Sequence, residues 1–547
     1  MSAAARPGGD GAVTPGQVLA GLLLAGVVLW LLAPFAGVDP PRRLTVSNAP
    51  WTDEGFNLAN ARERALSGQF ATGDVDRSLT NGVYSVLAAA TFAVTGPSLA
   101  AGRALSMVAV AGAVLLLALG LVRPLGRPAA LLAAAALGGA NLMLEHGRLA
   151  LVEATVVVLL TGAFVLATRA AWRPSATAGA GVGLLVAAAV SVKANALLPG
   201  LVLLGVVLFA AARRRDRPAL AMGLTGLATL LLAGAAWLVA VALPNWERFR
   251  TALRIWPTVE YLGTPVAIAG RVGRYLANSD QALGRSLPLL VAAALGLAAL
   301  ARRWPRLEPA ARDALVMAGL WGAGLWLAVA VGDYLPGHYT APNRYVVPAL
   351  PGLAVLAGFG LADLAALAGR AVGGAGERDP GNRGRAGRAA GLAAVVLGVA
   401  VALPGVLQYL DGARASGRLR EQGQRALATS LPSDAVVFGA YAPTLLFDTR
   451  LTTLTPWPTA DANVRDPVGR FGVTHVLVGT GPGDPTATVA GLTGRVASPA
   501  RPRLARIPWG NGELFLYGPP SDLGLGVSPV ASPIDYDPRA ESSASRR

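Results

Sequence analysis

Two acidic residues stand side by side just beyond the first apolar run, in Ala49-Pro50-Trp51-Thr52-Asp53-Glu54-Gly55-Phe56. Adjacent carboxylates can hold a divalent metal, or one can act as a general base beside the other. The competing reading is structural: Asn57–Ser67 reads as a short helix stopped by Gly68, with Thr52 as its cap and both carboxylates set against its dipole. Farther on, Glu145-His146-Gly147-Arg148 precedes Glu153. A carboxylate is costly to bury in the apolar helix expected from Leu149 to Ala167, so Glu153 should face a polar cavity; pairing with Arg148 is the alternative. Lys193, the only lysine in the chain, ends another apolar run. A cation there can bind a lipid phosphate, or it can simply snorkel to the interface. In Pro336-Gly337-His338-Tyr339-Thr340-Ala341-Pro342-Asn343-Arg344-Tyr345, Arg344 at a helix start suits a phosphate clamp, with His338 and Tyr345 as neighbours in substrate binding. The alternative is an interfacial anchor with Tyr345 in an aromatic belt.

The elements that must position these residues are membrane helices. The chain has 547 residues, is 53% hydrophobic and carries only 14% charged residues, against about 25% in a soluble protein. Apolar runs recur near 17–37, 81–97, 101–122, 129–144, 149–168, 177–192, 196–212, 218–243, 286–301, 313–335, 345–369 and 389–410. Many approach the roughly 20 residues that cross a bilayer. Cysteine is absent, which excludes disulfides and thiolate metal sites. The formal charge of +16 is almost wholly arginine placed between apolar runs. Few aromatics accompany it, so it reads as an orientation signal and not as a nucleic-acid surface.

The arginines concentrate in alternate short connectors: Arg123/Arg127, Arg169/Arg173, Arg213 to Arg217, Arg302 to Arg312, and Arg370 to Arg388. Such loops stay in the cytoplasm. They do so with an inside N-terminus only if 81–97 packs at the interface without crossing, which leaves about eleven spans. A twelve-span arrangement with an outside N-terminus is the alternative. The expected fold class is an all-α polytopic membrane domain over 1–410, with a first outside loop at 38–100, interfacial helices and a small extracytoplasmic α/β domain over 411–522. Within that domain Ala435–Gly439, Val473–Gly479 and Glu513–Tyr517 read as strands and Ala442–Phe447 as a helical turn. Residues 523–547 read as a disordered tail and Gly373–Gly387 as a flexible linker. No P-loop, Rossmann fingerprint or HExxH occurs. An activated group would therefore arrive on a membrane carrier and not as a cytoplasmic nucleotide sugar.

The stretches WTDEGFNLANARERALSG, GPSLAAGRALS, HGRLALVEA, SVKANALLPG and APNRYVVPALPGLAVL lie in order across residues 51–356. Together they resemble the GT-C superfamily of membrane glycosyltransferases, in the protein O-mannosyltransferase and aminoarabinose-transferase branch. The resemblance implies a polyprenyl-phosphate sugar donor and inverting transfer to an acceptor lipid, polysaccharide or protein, at an outward-facing cavity of the plasma membrane. It implies that Asp53 is the general base, with Glu54 supporting it. A divalent metal held by Asp53 and Glu153 is a possible cofactor. Arg148 and Glu153 match the basic and acidic positions of the second loop, although the branch usually carries Asp where Glu153 stands. Lys193 and Arg344 match the carrier-phosphate cations, and Arg103 matches an arginine after the small apolar segment. The rival readings are a transporter or flippase of a lipid-linked substrate, which the lack of a visible internal repeat disfavours, and an inactive scaffold.

Overall fold

A computed structural model of the chain describes residues 13–41, 53–70, 77–247, 249, 283–331, 341–373, 380–455, 471–479, 503–509, 512–518 and 534–535. The helices are α1 (Pro15–Leu32), α2 (Glu54–Ser67), α3 (Gly82–Thr95), α4 (Leu99–Gly120), α5 (Arg127–Gly138), α6 (Asn141–Gly147), α7 (Val152–Ala170), α8 (Ala176–Val192), α9 (Leu197–Arg214), α10 (Arg217–Trp237), α11 (Leu283–Arg303), α12 (Pro309–Val331), α13 (Ala341–Val346), α14 (Leu350–Gly373) and α15 (Pro380–Arg414). Three of these starts carry polar side-chain caps. Ser98, Ser175 and Asp216 accept the amides of Ala101, Ala178 and Ala219 at 3.1, 3.1 and 3.0 Å, which satisfies donors that a helix start leaves open.

Among the described residues, eight helices are long and apolar enough to cross a membrane, or nine if the α5–α6 pair, bent by 58°, counts as one. This is a multi-pass membrane protein. α3, at 14 residues, spans about 21 Å, short of a bilayer core of about 30 Å. Its start donates the Val83 amide to the Ser191 hydroxyl at the end of α8. Its last turn sets Phe92 6.0 Å from the Phe447 ring. Helices pack closely where glycines permit it. A Cβ on Gly183 of α8 would lie 2.2 Å from the Gly226 carbonyl oxygen of α10, so only a bare backbone fits there.

Beyond α15 come α16 (Leu419–Ala428), α17 (Ala442–Leu445) and the strands β1 (Val436–Phe438), β2 (Thr452–Leu454), β3 (His475–Gly479), β4 (Arg503–Trp509), β5 (Gly512–Tyr517) and β6 (Ile534–Asp535). They form one mixed sheet in the order β2-β1-β3-β5-β4-β6. Parallel pairing holds β2, β1 and β3 together, and β5 runs antiparallel to both β3 and β4. Leu427, Val437, Leu445, Leu477, Trp509 and Leu514 form part of its core.

Some elements extend beyond the expected bounds. The Gly/Arg linker is helical from Pro380 onward, and the last membrane helix runs to Arg414, past the expected boundary at 410. Residues 145–147 are the end of α6. Within the tail expected to be disordered, Ile534–Asp535 pairs in parallel with β4.

Candidate active site

The loop after α1, helix α2, and the starts of α4, α7 and α14 gather at one end of the bundle with the ends of α6 and α8. Asp53 is the N-cap residue of α2, but its carboxylate caps nothing; it forms an ion pair with Arg344 of α13. The Arg344 guanidinium lies 5.3 Å from the centre of the Tyr345 ring, and Lys193 Nζ sits 4.4 Å from the same ring. Lys193 in turn pairs with Glu153. Asp53, Arg344, Tyr345, Lys193 and Glu153 thus form one continuous chain of contacts across four segments. Local structure favours each charge. Glu153 lies in the first turn of α7 and Lys193 caps the end of α8, the termini whose dipoles suit an anion and a cation. The Asp53 and Arg344 side chains stay 30% and 31% accessible. One carboxylate oxygen of Glu153 and the Nε of Arg344 have no hydrogen-bond partner among the described residues, so the site retains polar capacity for a ligand.

Glu54 is a different kind of residue. Arg103 grips its carboxylate with two hydrogen bonds of 2.7 and 2.8 Å, and the Ala150 amide adds a third at 2.8 Å. Both side chains are only 1% accessible. Burial alone would raise the Glu54 carboxyl, but the Arg103 guanidinium outweighs it and holds the group below the usual carboxylate range. Both Glu54 oxygens are thus occupied by partners other than Asp53. Arg103 also donates to the carbonyls of Ala36 and Val38, each at 2.7 Å. Arg148 donates to the carbonyls of Val38 and Asp39 at 2.9 and 2.7 Å. Those two arginines shape the turn leaving α1, and Arg148 does not pair with Glu153. His338 and Thr52 lie outside the described residues.

Among the described residues, no three His, Cys, Asp or Glu side chains converge as a metal site. Asp53 and Glu153, the expected metal ligands, each face a cation instead.

The sequence matches no family model and no curated protein. Its structure is similar to ArnT from Cupriavidus metallidurans bound to undecaprenyl phosphate, with a TM-score of 0.58 at 16% identity over 92% of this chain and 98% of that one. It is similar also to the Archaeoglobus fulgidus oligosaccharyltransferase in its apo form, with a TM-score of 0.52 at 11% identity over 96% and 76% of the two chains. The fold is GT-C.

Three further residues stand at the same end of the bundle. Asp39 accepts the amides of Leu419 and Arg420 at the start of α16. Asp448 accepts the Leu99 amide at 2.7 Å and pairs with Arg420 at 2.9 Å. Arg62 donates to the carbonyls of Phe447, Thr449 and Leu451, each at 2.8 Å. Apart from the Asp448–Arg420 pair, these contacts reach the C-terminal domain over several hundred positions, so no local motif announces them. The one sequence signal is Arg62, a charged residue on the buried side of α2.

Proposed function

We propose that this chain is an inverting glycosyltransferase that moves a sugar from a polyprenyl-phosphate carrier to an acceptor hydroxyl. The observation that carries the reading is the accessible Asp53–Arg344 pair joined through Tyr345 to Lys193 and Glu153. A carboxylate base and two cations share one site, as transfer from a phosphate leaving group requires.

In the proposed step, the carrier phosphate docks on Arg344 and Lys193. A partly exposed ion pair contributes only about 0.2–1 kcal/mol, so a phosphate can displace Asp53 from Arg344. The freed carboxylate takes the proton of the acceptor hydroxyl as its oxygen attacks the anomeric carbon. The bond from that carbon to the phosphate oxygen breaks on the opposite face, and its electron pair leaves with the phosphate. The products are an inverted glycoside, a protonated Asp53 and a polyprenyl phosphate held by the two cations. Arg344 Nε and the second Glu153 oxygen have capacity to hydrogen-bond the phosphate and a sugar hydroxyl.

The same reading sets the topology. About eleven crossings result if the eight long helices, the bent α5–α6 pair, α8 and α12 all span. α3 then lies along the outer interface. The arginines at the ends of α9, α11 and α14, at the opposite end from Asp53, face the cytoplasm. The site and the C-terminal domain face outward.

The test is to incubate purified protein with a panel of polyprenyl-phosphate sugars and measure release of free polyprenyl phosphate. At least one donor should turn over, and Asp53→Asn should lower turnover by about 10²-fold or more. A flippase or scaffold would be indifferent to the substitution, which would end this reading.

A further inference from the structure

Helix α2 carries Asp53 at its start and is held from two sides. On the membrane side, Glu54 is locked to Arg103, and Leu58 fills the space where a Cβ on Gly102 would lie 2.4 Å away. On the other side it meets the C-terminal domain at two points. The first is Gly55, whose amide donates to the Thr444 hydroxyl at 3.3 Å. A Cβ there would lie 2.6 Å from the backbone of Pro443 and Thr444, so the helix and α17 touch backbone to backbone. The second is Arg62, two turns along α2. It is buried, and its guanidinium closes three main-chain carbonyls of the 447–451 turn while stacking 5.7 Å from the Phe447 ring. Three carbonyls around one buried cation form a strong, directional anchor. Burial pulls the Arg62 pKa down to about 10, so the side chain remains charged at neutral pH.

We infer that the C-terminal domain is a working part of the active site, with Arg62 and Gly55 as positioning residues that set Asp53 opposite Arg344. This rests on the sugar-transfer reading for its consequence, but the clamp itself is a matter of geometry. Asp53 is two residues from Gly55, so a shift of α2 against α17 carries directly into the carboxylate. A misplacement of about 1 Å in a reacting group can cost about 10²-fold in rate. Donor binding depends on Lys193 and Arg344, which belong to other elements, so the clamp should govern turnover much more than donor affinity.

The experiment uses the full chain in lipid nanodiscs and exploits the absence of cysteine. Spin labels at Leu66→Cys on α2 and Arg506→Cys on the C-terminal sheet, both exposed positions, report the distance between the two bodies. The expected results are a single narrow distribution in the unmutated background and a broadened or shifted one with Arg62→Ala and with Gly55→Ala. Turnover should fall about 10- to 100-fold with less than about a twofold change in KM for the donor, and Arg62→Lys should recover part of it. Should Arg62→Ala fail to fold, Gly55→Ala decides, since it leaves the Arg62 anchor in place. Unchanged distances and unchanged turnover in Gly55→Ala overturn the inference, as does a loss of undecaprenyl-phosphate binding equal to the loss of turnover. If the unmutated chain turns over no donor, the transfer reading fails, while the distance measurement still judges the clamp.

Discussion

The two carboxylates of Asp53-Glu54 have different partners, because Asp53 is the N-cap residue of α2 and Glu54 is its first helical residue. One reaches the accessible Arg344, and the other enters the core to meet Arg103. The doublet was legible in the sequence as the feature most worth attention. Its division was not, because that depends on which partner the fold sets against each face. The two substitutions should therefore behave oppositely. Glu54→Gln leaves Arg103 as a buried cation without a counter-charge and should cost about 3–5 kcal/mol of stability, read as a large drop in thermal unfolding temperature. Asp53→Asn should cost less than about 1 kcal/mol while removing turnover. Asp39 adds a pH signature. Burial pushes its carboxyl up to about 6, despite the opposing amides of Leu419 and Arg420. Its folded value lies above the ordinary 3.8, so the folded chain binds the proton first. The charged form destabilises above about pH 6, and the penalty is relieved as pH falls from about 6 to about 4. Asp39→Asn should be more stable than the unmutated chain at pH 7.5, by up to about 3 kcal/mol. Unfolding scans should show that difference shrinking toward pH 4; a difference independent of pH would contradict the assignment.

Elements with a strong apolar run or strand pattern were legible within a few residues. α2 ends at Gly68, whose φ of 79° suits glycine alone, and the strands expected at Ala435–Gly439, Val473–Gly479 and Glu513–Tyr517 are β1, β3 and β5. The missed elements lack those signals. β4 reads RLARIPW, where arginines and a proline obscure the alternation. The start of α15 reads PGNRGRAGR, whose glycines lower helix propensity although the segment continues a membrane helix. Close helix contacts were equally silent, since a glycine in an apolar run looks like any other small residue. Gly183→Leu should force α8 from α10 and cost about 1–3 kcal/mol, visible as a lower unfolding temperature. The same substitution at Gly205, where an added Cβ meets nothing within 4 Å, should be nearly neutral.

For the whole molecule, the arginines concentrate at the ends of α9, α11 and α14. The pairs Arg214–Asp313 and Arg302–Asp363 lie near the ends of α9, α11 and the middle of α14, away from Lys193 and Arg344. Single cysteines can be placed in the cysteine-free chain without interference. One at Leu66 should react with impermeant reagents in intact cells and one at Gly387 should not; the reverse result would invert the topology. What the sequence could not convey is that Asp53 and Arg344 pair with one another, since that is a relation between segments 291 positions apart. It also supplies the most direct test: equilibrium binding of undecaprenyl phosphate to the full chain and its variants. Lys193→Gln and Arg344→Gln should each weaken binding about 10- to 100-fold. Asp53→Asn should strengthen it, by up to about fivefold, because the competing anion is gone. Weaker binding by Asp53→Asn, or undiminished binding by both cation variants, would contradict the account.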